Sequence, residues 1–260
     1  MKSIRCILLI ALLQAVTISP LFAADDLDRI KSSGVFRIGT EGTYAPFTYH
    51  DEMGKLTGFD VEIGTAIAKR LGAKPQFIEG QWDGLIAGLD VNRYDVVINV
   101  VSITEARKAK YDYSDPYITS YPALIVASSN SRIRSFGDLK GRKSANSLTS
   151  HFGAVASAYG AQVIPVQGFN EALDLLISGR VDATVNDSLS FFYFIKRRPD
   201  AHVKIVAFDN APGSTDESGV LMRKGSPRLR AAINAALAGM RKDGTYQKIS
   251  QKYFGEDVLH

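Results

Sequence analysis

Short β-branched runs alternate with amphipathic stretches twice in this chain, with one polar break between the two sets, and this doubling leaves few folds open. In the first set, strands are predicted at residues 35–39, 76–78 and 94–101. Between them lie a helix with Phe59, Ile63, Ile67 and Leu71 on one face and a second helix over 82–89. Such βαβαβ order implies a parallel sheet with right-handed crossovers. Ser128, Ser129, Asn130 and Ser131 interrupt the pattern. It then restarts with strands at 143–146, 162–166, 183–186 and 203–208, and with helices at about 150–159, through Leu173 to Gly179, and at 189–196. Residues 219–222 read as a return crossing. A last helix opens with Ser226 as N-cap and Pro227 at N1, carries Leu229, Ile233, Leu237 and Met240 on one face, and precedes a final turn with Tyr246, Ile249 and Tyr253. The expected fold is α/β with two lobes, each a mainly parallel sheet flanked by helices, joined by two hinge strands. The first lobe is expected over 25–126 and 220–260, the second over 127–219.

Residues 1–24 belong to neither lobe. Lys2 and Arg5 precede an apolar run from Cys6 to Val16, followed by a small-residue exit at Ala23 and Ala24. That order marks a secretory signal peptide cleaved near Ala23 or Ala24, and the run is short of the ~20 residues of a membrane span. Cys6 is the only cysteine and lies at the front of the apolar run, so no lipid anchor, disulfide or thiol chemistry is expected of the mature chain. A free periplasmic protein is expected. The formal charge of +4 is mild and its basic residues are scattered, which argues against nucleic acid. His50, His202 and His260 are scattered too and support no metal site; no cofactor is expected.

The stretch "YDVVINVVSITEARKAKYDYSDPY" at 94–117 carries the chemistry. Its strand ends near Ser102, and Thr104 is a suitable N-cap for a short helix bearing Arg107. Open α/β sheets bind ligands at such strand ends. A guanidinium there can hold a carboxylate through two parallel charge-assisted hydrogen bonds. Arg107 can also be read as one of a solvated basic run with Lys108 and Lys110.

"SITEAR" followed by "KYDYSDPY" resembles the polar amino-acid family of bacterial extracytoplasmic solute-binding proteins (family 3, type II periplasmic binding fold). The matches continue, in order, with "EGTYAPF", "GKLTGFDVEI", "QWDGLIAGLD", "GRVDATVND" and the tail "KDGTYQKISQKYFGEDV", from about Val35 to Val258. The resemblance implies that Arg107 holds the α-carboxylate of an amino acid with help from Ser102, that Asn99 and Val100 line the site, and that Asp187 takes the ammonium. Asp187 equally suits the N-cap of the helix that follows it. Thr149, Ser150 and His151 fall where the family has a helix start facing the carboxylate, although His151 can also be a surface residue. Tyr44 and Trp82 match the flat side chains around the ligand; Trp82 can equally be core filling. Glu41 matches a position acidic in binders of basic amino acids and in some others.

"KSANSLTS", "EGTY", "QWDG" and "FGEDV" resemble the cystine-binding subgroup. L-Cystine is therefore the expected ligand, with glutamine, arginine and histidine as alternatives. The expected partners are an inner-membrane permease and its ATPase, and a monomer is expected. Cyclohexadienyl dehydratases share the resemblance, but nothing pairs Glu41 with the rest of such a site, and no GxSxG, HExxH or phosphate loop is present.

Overall fold

The structure, a computed structural model, describes residues 26–209 and 216–259. The expected signal peptide and its cleavage site lie outside the described residues. Helix α1 (Asp26–Ser33) buries Leu27 and Ile30, and the chain then enters β1 (Val35–Thr40). Three short strands, β2 (Thr43–Tyr44), β3 (Thr48–His50) and β4 (Leu56–Thr57), make a small antiparallel flap. Helix α2 (Phe59–Arg70) turns Phe59, Ile63 and Ile67 inward, and β5 (Lys74–Glu79) pairs in parallel with β1.

Two expectations change here, both for long-range reasons. The helix predicted over 82–89 is two single turns, α3 (Trp82–Leu85) and α4 (Ala87–Asp90). The buried Tyr94 hydroxyl donates to the Leu85 carbonyl, so the Leu89 N–H bonds to Ile86 instead. The strand predicted over 94–101 keeps only β6 (Val96–Val97) in the ladder, and three residues on Val100, at φ +46°, leaves the extended conformation. Helix α5 (Glu105–Lys108) follows, capped as expected by Thr104, whose hydroxyl accepts from the Arg107 N–H at 3.3 Å.

The chain continues through β7 (Tyr111–Tyr113), β8 (Ile118–Ser120) and β9 (Pro122–Ala127). The second set contains β10 (Lys143–Asn146), α6 (His151–Ala158), β11 (Gln162–Pro165), α7 (Phe169–Ile177), β12 (Thr184–Asp187), α8 (Ser188–Arg197) and β13 (Val203–Phe208). The chain returns by β14 (Asp216–Ser218), β15 (Leu221–Arg223), α9 (Pro227–Lys242) and α10 (Thr245–Phe254). Ser226 stands at the N-cap of α9 with Pro227 at N1 as expected, but its hydroxyl makes no capping bond and donates to Asp26 at 3.3 Å. The expected final turn is the ten-residue helix α10.

The two sheets share one plan. The first has the order β5-β1-β6-β15-β7, and only β15 runs against the others. In the second, β11 and β10 are parallel, a bridge from Ser144 to Ala183 joins them to β12, and β9 runs antiparallel to β12 and β13. The odd strand of each sheet follows directly from one of the paired strands β8 and β14, which cross between the lobes. Pro122–Ala127, written into the first lobe by the sequence boundary at 126, pairs within the second sheet. Because the parallel strands run towards the crossing, the carboxyl ends of β1 and β6 meet those of β10 and β12.

Packing follows the periodicities. Leu229, Ile233, Leu237 and Met240 of α9 and Tyr246 and Ile249 of α10 close over Ile38, Ile63 and Ile67 in the first core. Each fully buried aliphatic contributes about 1.5–3 kcal/mol. Along β9, Ala123 and Ile125 pack against α7 while Leu124 and Val126 pack with Phe136 and Phe152 on the other face. Such alternation requires a strand buried on both sides.

Candidate ligand-binding site

Where β1 leaves its sheet, Glu41 is clamped by Asn99. The Glu41 N–H donates to Asn99 Oδ1 at 2.8 Å and Asn99 Nδ2 donates back to Glu41 Oε2 at 2.6 Å. Burial raises the Glu41 carboxyl to about 7 against the Asn99 hydrogen bond, and the Asp83 charge adds to the rise. Tyr44 lies over Phe47 and edge-on to Phe169, and its hydroxyl donates to Asn186 of β12 at 2.7 Å. Trp82 opens α3 and is buried, and among the described residues no acceptor meets its indole N–H.

The guanidinium carbon of Arg107 lies 5.4 Å from the centre of the Trp82 ring. Two of its five N–H donors reach main-chain carbonyls, Ser102 at 3.0 Å and Thr149 of the second lobe at 3.0 Å. The solvated basic face describes Lys108, which pairs with Glu105 at 2.8 Å and is exposed. Arg107 is turned away from that face and partly buried. Ser102 donates its hydroxyl to Asp216 of β14 at 3.0 Å.

From the second lobe, the Thr149 N–H and hydroxyl donate to Asp83 Oδ1 at 3.1 and 2.8 Å. Ser150 caps α6, accepting from the Gly153 N–H at 2.9 Å, and His151 is the first residue of that helix. Burial and the Arg107 charge hold the His151 imidazole below its usual pKa. Asp187 is fully buried and caps α8: its Oδ1 accepts from the N–H groups of Leu189 at 2.8 Å and Ser190 at 3.0 Å, while Ser120 donates to Oδ2.

One cavity lies between these elements. Of the residues singled out in the sequence, Glu41, Tyr44, Trp82, Asn99, Val100, Ser102, Ser150 and His151 line it; Arg107, Thr149 and Asp187 stand at its margin and are not among its lining. Asn146, Phe169 and Asn186 also stand in the second-lobe wall and were not anticipated. Asn186 was legible from its place beside Asp187 at a strand end. Asp216 and Asp83 were not, since each acquires its role by contacts far along the chain.

Desolvation raises four carboxyls around the cleft, the buried Asp187 to about 6, the partly buried Glu41 and the buried Asp216 to about 7, and the buried Asp60 to about 8. Each folded value lies above the unfolded one of about 4. The stability these groups contribute is therefore complete below about pH 4 and is lost as pH rises through about 6 to 8. His151 opposes this with one proton against four. The Tm of the ligand-free protein should accordingly fall between pH 5 and pH 8, by roughly 2–4 °C per kcal/mol lost. Asp216→Asn should flatten the slope. A Tm that rose over this range in the wild type would contradict the burial of these acids.

The family model of bacterial extracellular solute-binding proteins, family 3, matches residues 36–256. The L-cystine-binding protein TcyA of Bacillus subtilis (strain 168) is 47% identical over 230 residues, 88% of this chain and 84% of that protein. An ancestral arginine-binding protein bound to arginine is 44% identical, with a TM-score of 0.79 over 85% of this chain and 98% of its own. The L-cystine solute receptor of Neisseria gonorrhoeae, in its unliganded open conformation, is also 44% identical and gives a TM-score of 0.61 over 90% of this chain and 99% of its own. At equal identity, the structure as a whole matches the ligand-bound protein better than the open one. Family model and relatives agree: the chain belongs to the bacterial extracellular solute-binding proteins, family 3.

Proposed function

We propose that this chain captures an amino acid between its lobes in the periplasm and hands it to an inner-membrane ABC permease and its ATPase, and that the amino acid is L-cystine. The observation that carries the reading is a cavity walled by both lobes at the strand ends, with Arg107 lying on Trp82 at its margin. Cystine has two carboxylates and two ammonium groups, so its site needs partners of both signs. Arg107 and the start of α6 serve the carboxylates; Asp187 and Glu41 serve the ammoniums. Tyr44 and Trp82 offer rings to the disulfide, since sulfur–aromatic contacts are favourable. The 47% identity to an L-cystine-binding protein supports the same choice.

Closure is the mechanism. The Tyr44–Asn186, Arg107–Thr149 and Asp83–Thr149 bonds cross between lobes. A ligand that touches both walls binds the closed form better and shifts the population towards it. We place the change of lobe at the paired strands β8 and β14. The protein acts as a monomer and binds without chemical conversion. Arginine is a second reading, favoured by the buried Glu41 carboxylate, which suits a cationic side chain.

A thermal-shift screen of protein refolded free of carried-over ligand, against all amino acids plus cystine, tests the proposal. Cystine should give the largest rise in Tm. A larger rise with arginine would replace the ligand, and no rise with any amino acid would overturn the reading.

A further inference from the structure

Val100 sits in the left-handed region at φ +46°, where a β-branched side chain is strained. Its N–H is held by two acceptors, Asp60 Oδ2 at 2.8 Å and the Tyr117 hydroxyl oxygen at 3.2 Å. The Tyr117 hydroxyl in turn donates to Asp60 Oδ1 at 2.9 Å, closing a triangle. Asp60 and Tyr117 are buried, and neither lines the cavity. Ladder pairing in this strand has already ended at Val97.

The turn has a consequence for the cavity. In an extended strand successive side chains point to opposite faces. Side chains still alternate here, Val96, Ile98 and Val100 in one core cluster and Val97 and Val101 in another, yet Asn99, Val100 and Ser102 all line one cavity. The left-handed turn at Val100 falls within this cavity-lining stretch. We propose that Asp60, with Tyr117, is a positioning residue of the binding site: by holding the Val100 N–H it fixes the left-handed turn that brings Asn99, Val100 and Ser102 to the same wall. The inference rests on the reading of this cavity as the amino-acid site. Accepting an N–H needs only an oxygen, so Asp60 does this whether charged or neutral, consistent with burial having raised its carboxyl to about 8.

The test is a set of variants read with cystine by calorimetry. Asp60→Leu made together with Tyr117→Phe keeps the shapes and removes both acceptors without leaving an orphaned hydroxyl. It should bind about tenfold more weakly or worse, whereas Asp60→Asn, which retains an acceptor, should stay within about threefold of wild type. Glycine enters the left-handed region freely, so Val100→Gly added to the double variant should return affinity to within about threefold of Val100→Gly alone. A purely structural role gives no such rescue, and its absence would overturn the proposal, as would unchanged affinity in the double variant. If the double variant does not fold, Tyr117→Phe alone should show a smaller loss with the same rescue by Val100→Gly; no loss would count against the proposal. Hydrogen exchange at the Val100 amide, read without ligand, separates the two readings. Should wild type bind no amino acid, the ligand reading falls, while exchange at Val100 as fast in wild type as in Tyr117→Phe would by itself sink the clamp.

Discussion

Arg107→Ala should weaken amino-acid binding by about 30-fold or more, because truncating one partner of a desolvated charge pair costs about 2–5 kcal/mol. Arg107 is prepared for such a pair before ligand arrives. Its guanidinium is laid on Trp82 and tied to the Ser102 carbonyl, both within the first lobe, so little freedom remains to be lost on binding. Arg107→Lys should recover only part of the affinity, since an ammonium gives neither the planar stack nor two parallel hydrogen bonds. Stability of the ligand-free protein should change little: the stacking contact is worth about 0.5–1 kcal/mol. Calorimetry with both variants decides the matter. Wild-type affinity in Arg107→Ala would remove Arg107 from the site.

A comparable effect on folding is expected far from the cleft. Asp95 is fully buried between β1 and β6 and accepts from the Arg37 N–H at 2.8 Å and from its guanidinium at 2.7 and 3.1 Å, with Arg29 as a second partner. Removing one member of a buried pair costs about 3–5 kcal/mol because the other charge stays desolvated. The side chains of Arg29 and Arg37 are 34% and 25% exposed and can turn to water once Asp95 is gone, which places Asp95→Ala near the lower end, at about 3 kcal/mol. That is a large share of the 5–15 kcal/mol typical of a folded chain. Urea unfolding of the ligand-free variant measures it. A midpoint equal to wild type would show that the pair contributes nothing net.

Periodic segments were legible because their own residues determine them. The apolar faces of α2 and α9 and the β-branched runs of β1, β9 and β13 needed no distant partner to be read. What the sequence hid was set by contacts far along the chain. The run from Val96 to Val101 reads as one strand, and it is a carboxylate 40 residues earlier, Asp60, that accepts from the left-handed Val100 beyond the end of the ladder. The Tyr94 hydroxyl breaks the helix over 82–89 in the same manner. Asp216 joins Ser102 across 114 residues, and no local pattern announces it. For Asp187 the two sequence readings were a helix cap and an ammonium partner; the cap is present in the structure, and a carboxylate with a spare lone pair can serve the second role as well.

The most direct measurement is calorimetric titration of refolded, ligand-free protein with L-cystine and, separately, with L-arginine. Saturable one-to-one binding of cystine, at least about tenfold tighter than arginine and largely lost in Arg107→Ala, is the expected result. Arginine binding tenfold tighter than cystine, or cystine binding that survives Arg107→Ala unchanged, would contradict a cystine site built around Arg107.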